Sequence, residues 1–237
     1  MIKRHIPNLI TCGNLVCGCF AILSSFAQQQ ERAVYLIFLA AILDFLDGFA
    51  ARVLKVQSPL GKQLDSLADM VTFGVAPGIL LYHLMISKGL GTPLSYISFS
   101  IIVFSALRLA KFNIDTRQTH SFIGLPTPAN TLFISSLILL DAHSSPAVKD
   151  MLLAPGILVA VSIVFSLLMI AEIPMFSLKF KNFRWTDNKV QFLFLGISLS
   201  LMAIFFYIAI PIIIILYVVL SALNRPPVAP VNTENPK

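Results

Sequence analysis

Apolar stretches of membrane-spanning length recur along this chain, over residues 8–27, 33–54, 61–86, 94–113, 129–142, 152–173 and 191–223. A hydrocarbon layer about 30 Å thick takes about 20 apolar residues to cross as a helix. Buried in lipid, the backbone has to satisfy its own hydrogen bonds. Charged residues make up only 12% of the sequence against 57% hydrophobic, about half the usual charged share. That supply cannot cover a water-soluble globule of 237 residues. The pattern predicts an all-α, polytopic membrane helix bundle.

The last block, 191–223, would measure roughly 50 Å as one helix, well beyond the bilayer core. Pro211 lies inside it, so a division into two short helices with a tight reversal near 206–211 is expected. This gives about eight transmembrane helices, with six or seven as the alternatives. Placing the N-terminus in the cytosol puts Lys3, Arg4, Arg52, Lys55, Lys62, Arg108, Lys111, Arg117, Lys179, Lys181, Arg184, Lys189, Arg225 and Lys237 on the cytosolic side, and only Arg32, Lys88 and Lys149 outside. Basic residues gather on cytoplasmic loops, so both termini are expected in the cytosol. The formal charge of +6 has the same origin; no basic stripe with interleaved aromatics points to nucleic acid.

The basic start followed by an apolar stretch resembles a secretory signal. Its length, the lack of an A-x-A cleavage site and the spans that follow favour a retained first helix. Cys12, Cys17 and Cys19 match no zinc or redox spacing and are read as small packing residues. His5, His83, His120 and His143 are scattered singly, and none is given a catalytic role. Residues 1–225 are read as a single transmembrane domain. The tail at 226–237, Pro-rich and polar, is expected to be disordered.

Four of the 11 acidic residues fall between positions 44 and 69. Asp44 and Asp47 are three apart on the second helix, and Asp65 and Asp69 four apart on the third, so each pair shares a helix face. A reversal around Gln57, Ser58 and Pro59 lets the two faces meet near the cytosolic ends of the helices. Carboxylates within a span are costly, and four together repel. Two divalent cations would balance them, and oxygen-only ligands suit Mg²⁺ or Mn²⁺. Such a pair would clamp a diphosphate for attack at phosphorus, which points to phosphoryl chemistry on a lipid. The competing readings are ion pairing with Arg52, Lys55 and Lys62, a divalent-cation transporter, or a non-catalytic membrane scaffold; a transporter would hold such groups nearer mid-membrane on broken helices.

Read in full, the segment is Asp44-x2-Asp47-Gly48-x2-Ala51-Arg52-x8-Gly61-x3-Asp65-x3-Asp69. It resembles the signature of the CDP-alcohol phosphatidyltransferase family, with every specified position filled. The resemblance implies that Asp44, Asp47, Asp65 and Asp69 serve the metal site, and that Asp69 also accepts the proton of the attacking hydroxyl. Arg52 and Ser58 would help hold the CDP portion, and Gly61 would allow close packing at the turn. The small side chains of Gly48 and Ala51 suit a nucleotide lying close to the helix backbone. The PNLIT stretch at 7–11, with Asn8 and Thr11, resembles the family's N-terminal segment beside the nucleotide.

Three further stretches resemble the serine-accepting branch of that family: TFGVAP at 72–77, ALRLAKFN at 106–113 followed by GLPTPA at 124–129, and LMIAEIPMFSLK at 168–179. The last departs at Ala171 and Glu172, where Ser followed by a variable residue is expected. The resemblance implies transfer of the phosphatidyl group from CDP-diacylglycerol to the L-serine hydroxyl, giving phosphatidylserine and CMP. It further implies a homodimer in a prokaryotic cytoplasmic (inner) membrane with the site facing the cytosol. Serine carries a carboxylate and an ammonium, so Arg108, Lys111 and Asn113 are candidates for its pocket. Glycerol 3-phosphate, an inositol compound or choline as acceptor, and an archaeal-type donor lipid, are the alternatives within the family.

Overall fold

The computed structural model describes residues 5–56, 58–115, 122–176 and 188–224. Prolines mark several helix starts, where the missing N–H costs nothing. Helix α1 (Ile6–Phe26) has Pro7 in its first turn, and α2 (Gln30–Val53) returns beside it. Helix α3 (Pro59–Asp69) opens on Pro59 behind Ser58, whose Oγ caps the helix by accepting from the Gly61 N–H at 3.0 Å. A π-helical turn over Met70–Val75 joins α3 to α4 (Ala76–Ser87), and the run Pro59–Ser87 forms one long apolar element. After α5 (Thr92–Ser95) comes α6 (Phe99–Ile114). Strand β1 (Phe122–Ile123) precedes α7 (Thr127–His143), and α8 (Pro146–Leu152) meets α9 (Pro155–Ile170) at a 49° bend. Strand β2 (Pro174–Met175), α10 (Lys189–Phe205) and α11 (Ala209–Asn224) complete the described chain.

Five stretches are long and apolar enough to cross a membrane, Ile6–Phe26, Gln30–Val53, Pro59–Ser87, Thr92–Ile114 and Lys189–Asn224, with the bent α8–α9 pair a sixth. The last of the five is doubled back on itself. Phe194 of α10 and Tyr217 of α11 have ring centres 5.9 Å apart, whereas 23 residues of continuous helix would separate them by roughly 35 Å. The break falls at Phe206, whose φ of +49° is a left-handed value that ends an α-helix. Pro211 sits in the first turn of α11, where its missing N–H is harmless.

The short stretch expected at 129–142 becomes α7, the most enclosed helix, buried along nearly its whole length. One departure from an all-α reading is the two-residue ladder pairing Phe122 with Met175 and Ile123 with Pro174, antiparallel. Cys12 and Cys19 point outward from α1 and do not serve as internal packing residues. The proposed tail at 226–237 and His120 lie outside the described residues.

Polar contacts gather at the two ends of the bundle. At one end Lys88 pairs with Asp141 at 2.5 Å, Glu31 with His143 at 3.0 Å, and Ser25 Oγ lies 2.8 Å from His83 Nδ1. At the other lie the start of α1, the α2–α3 turn and the end of α6. Between them the interior holds many small hydroxyl side chains, as membrane helix interfaces do. The closest approach is between α1 and the π-turn: a Cβ on Gly18 would collide with Thr72 Oγ1. Gly18→Ala should therefore destabilise the fold by about 1–3 kcal/mol, and adding Thr72→Ala should recover part of the loss. The check is the temperature at which the detergent-solubilised protein loses its monodisperse size-exclusion peak; an unchanged midpoint for Gly18→Ala would contradict this contact.

Candidate active site

The spacing that puts Asp44 and Asp47 on one face of α2 also turns that face toward α3. Ser58 and Pro59 set the start of α3, and Asp65 follows one and a half turns later on the facing side. Asp44, Asp47 and Asp65 each offer a carboxylate oxygen, and these oxygens lie within 4.8 Å of one another. Asp47 is buried, and its Oδ2 accepts from the Thr11 hydroxyl at 2.6 Å. Thr11 Oγ1 is also 3.0 Å from the Pro7 carbonyl oxygen, so the start of α1 braces this carboxylate. Asp69, at the end of α3, reaches the Asp44 carboxyl and accepts from Asn14 Nδ2 at 3.4 Å.

These acids line a cavity of about 880 Å³. Asn8, Thr11, Gly48, Ala51, Arg52, Ser58 and Gly61 share its walls, as do Asp44, Asp47, Asp65, Asp69 and Arg108. The Arg52 guanidinium lies over Gly48, its Nη1 3.7 Å from where a Cβ would stand. At the turn, a Cβ on Gly61 would sit 3.1 Å from Asn8 Oδ1 and 3.2 Å from Ser58 Oγ, so only glycine leaves this corner relaxed.

Lys111 and Asn113 are not among the residues lining the cavity. Lys111 points to the exposed Glu172, with Nζ 3.5 Å from its carboxylate. Asn113 donates through Nδ2 to Ser66 Oγ at 2.8 Å, and its carbonyl accepts from Lys62 Nζ at 3.1 Å. Lys111 thus ties α6 to the exit of α9, and Asn113 ties it to α3. The wall residues Phe45 and Phe122 were not singled out from the sequence, and neither was the buried Asn14. Asn14 had a readable signal: an amide in an apolar helix, three residues after Thr11 and four before Gly18, on one face with both.

Among the described residues, no Lys, Arg or His forms an ion pair with any of the four aspartates. Two unit charges 4.8 Å apart repel by about 3.5 kcal/mol at an effective dielectric constant of about 20. The group thus calls for a cation from outside the chain, and its all-oxygen donors fit a hard divalent ion.

The profile of the CDP-alcohol phosphatidyltransferase family matches residues 4–223. The chain belongs to this family. As a CDP-alcohol phosphatidyltransferase it is 43% identical over 129 residues to the CDP-diacylglycerol–serine O-phosphatidyltransferase of Bacillus subtilis (strain 168), covering 53% of this chain and 70% of the relative. It is 38% identical over 137 residues to the protein of the same name from Helicobacter pylori (strain J99), covering 57% of each. An archaetidylserine synthase of Methanothermobacter thermautotrophicus is 33% identical over 165 residues, covering 67% of this chain and 68% of the relative. The chain thus spans 57–70% of the length of these relatives.

Divalent cations are general in the CDP-alcohol phosphatidyltransferases, and Asp44, Asp47 and Asp65 form a group that could hold one. Asp65→Asn should weaken Mn²⁺ binding to the purified protein by more than about tenfold, the low end of what even outer-shell partners of a metal contribute. Titration followed by the Mn²⁺ EPR signal reads this directly; unaltered affinity would remove Asp65 from the site.

Proposed function

We propose that the protein transfers the phosphatidyl group of CDP-diacylglycerol to the hydroxyl of L-serine, giving phosphatidylserine and CMP. The observation that carries this reading is the uncompensated carboxylate group of Asp44, Asp47 and Asp65, set beside Asp69 in the wall of a cavity that Arg108 also lines. The names of the bacterial relatives support the same donor and acceptor.

Asp44, Asp47, Asp65 and Asp69 would hold a pair of Mg²⁺ or Mn²⁺ ions, which when bound neutralise and polarise the diphosphate. The open surface of Gly48 and Ala51 admits the nucleotide against α2, with Asn8, Thr11, Arg52, Ser58 and Gly61 around it. Phe45 lines the cavity yet is 66% exposed on the outer face of α2, so the acyl chains remain in lipid while the headgroup enters sideways. Asp69, steadied by Asn14, takes the proton of the serine hydroxyl. The freed oxygen bonds to the lipid-side phosphorus, the phosphorus–oxygen bond to the CMP phosphate breaks, and CMP leaves. Arg108 binds the serine carboxylate.

The end of the bundle that carries the site faces the cytosol in this reading. Arg52, Lys55, Lys62, Arg108 and Lys111 lie at that end, while Arg32 in the first turn of α2, Lys88 just after α4 and Lys149 in α8 belong to the other, which fits the positive-inside rule. Eight crossings follow if α7 and each arm of the α10–α11 hairpin cross separately, and both termini then lie in the cytosol of a prokaryotic inner membrane. The proposed assembly is a homodimer, on the strength of the family resemblance alone. A donor with archaeal-type lipid tails is the second reading, supported by the similarity to the archaetidylserine synthase.

The test is CMP release by the purified protein from CDP-diacylglycerol, with and without L-serine and Mn²⁺, and with an archaeal-type CDP lipid in parallel. Release should need both serine and the metal, and strong chelator should stop it; release indifferent to serine would reject the reading. Asp69→Asn should lower kcat by about 10²–10⁴-fold, the range for loss of a general base. In the same assay Arg108→Ala should raise the KM for serine far more than that for the CDP lipid, and equal effects on both would reassign this residue.

A further inference from the structure

The end of α6 and strand β1, separate in sequence, meet around one buried cation. Arg108 lies in the cavity wall at 7% exposure, and no carboxylate forms an ion pair with it among the described residues. Its guanidinium carbon is 5.0 Å from the ring centre of Phe112, one turn on along α6, and 5.9 Å from that of Phe122 on β1. The two rings are themselves in contact, with centres 5.9 Å apart. Arg108 Nε is buried and has no hydrogen-bond partner.

Phe122 is held from behind. Its strand pairs with β2, and the strap that follows is pinned to the end of α9: the Gly124 N–H donates to the Ile173 carbonyl and the Leu125 N–H to the Leu168 carbonyl, both at 2.9 Å. Gly124 has φ +77°, and a Cβ there would run into the Met169 carbonyl oxygen, so glycine is required. Beyond β2, the Tyr217 hydroxyl of α11 donates to the Phe176 carbonyl at 3.0 Å. The strap is therefore a fixed wall.

We infer that Phe112 and Phe122 form a clip that sets acceptor specificity by holding Arg108 ready for the α-carboxylate of an amino-acid acceptor. The inference rests on the transferase reading above. Aromatic faces attract a guanidinium without using its N–H donors, so the planar fork stays free for a bidentate carboxylate. Clipping also removes side-chain freedom that binding would otherwise have to remove. An acceptor without a carboxylate leaves a buried guanidinium unpaired, which is the condition for strong rejection. Phe112 and Phe122 are thus positioning residues that act through Arg108.

The test uses the full chain in detergent with CDP-diacylglycerol and Mn²⁺, reading CMP release with L-serine, L-serinamide, ethanolamine and glycerol 3-phosphate. Phe122→Leu should raise the KM for serine about tenfold, between the sizes of an exposed and a desolvated cation–π contact, with the KM for CDP-diacylglycerol changed less than about twofold. Phe122→Tyr should restore the serine KM. The wild-type preference for serine over serinamide should shrink in Phe122→Leu by the factor that its serine KM rises. Phe112→Leu carries the same expectation from α6, and decides the matter if Phe122→Leu does not yield folded protein. Serine use by the wild type, with the serine KM unmoved in the folded variants or both KM values rising together, overturns the clip and leaves the transferase reading standing. Failure of the wild type to use serine, with release supported by ethanolamine or glycerol 3-phosphate, overturns both.

Discussion

Mutual repulsion among the aspartates of α2 and α3 is the constraint around which this structure is arranged. Carboxylates within a few ångströms of one another, in helices surrounded by lipid, would separate unless the backbone held them. The brace is α1. Thr11 holds Asp47, Asn14 holds Asp69, and the Asn14 carbonyl accepts from Thr72 Oγ1 at 3.2 Å in the π-turn that follows Asp69. Gly18 lets α1 come close enough for these contacts. About two turns of one helix, from Thr11 to Gly18, thus fix the aspartate-bearing ends of two others, and the wider backbone of a π-turn at this junction is typical of functional sites.

In the proposed reaction that rigid part carries the donor, on residues 7–69, which are contiguous apart from one helical return. The opposite wall, proposed for the acceptor, is assembled from α6, the 122–126 strap and the exit of α9 around Arg108. The division has a physical logic: a diphosphate asks for the same small surfaces and hard cations whatever the acceptor, whereas the acceptor is distinguished by a charge of its own. Separate elements let one wall change while the other stays.

Much of this was legible in the residues. Apolar lengths located the helices to within a few positions, because a hydrocarbon layer imposes both length and composition. The reversal at Ser58 and Pro59 marked the start of α3, and the acidic spacing placed four carboxylates on two facing stripes. Less legible were the importance of α7, whose short apolar run conceals a helix enclosed on all sides, and the two-residue ladder that fixes Phe122. Lys111 and Asn113 shared the motif of Arg108 without sharing its surroundings: Lys111 reaches Glu172 beyond α9, and Asn113, five residues on and so on another side of α6, reaches Ser66 of α3.

The sequence by itself determined that the chain is a bundle of membrane helices with an anionic, oxygen-rich site on the second and third of them, because helix periodicity and bilayer thickness are local constraints that a linear pattern records. Only the tertiary structure decided which other groups reach that site. It brought Asn14 to Asp69, set Phe112 and Phe122 on Arg108, and turned Lys111 away toward Glu172. Such contacts depend on how helices distant in sequence cross and rotate against one another, which spacing along a single helix does not encode.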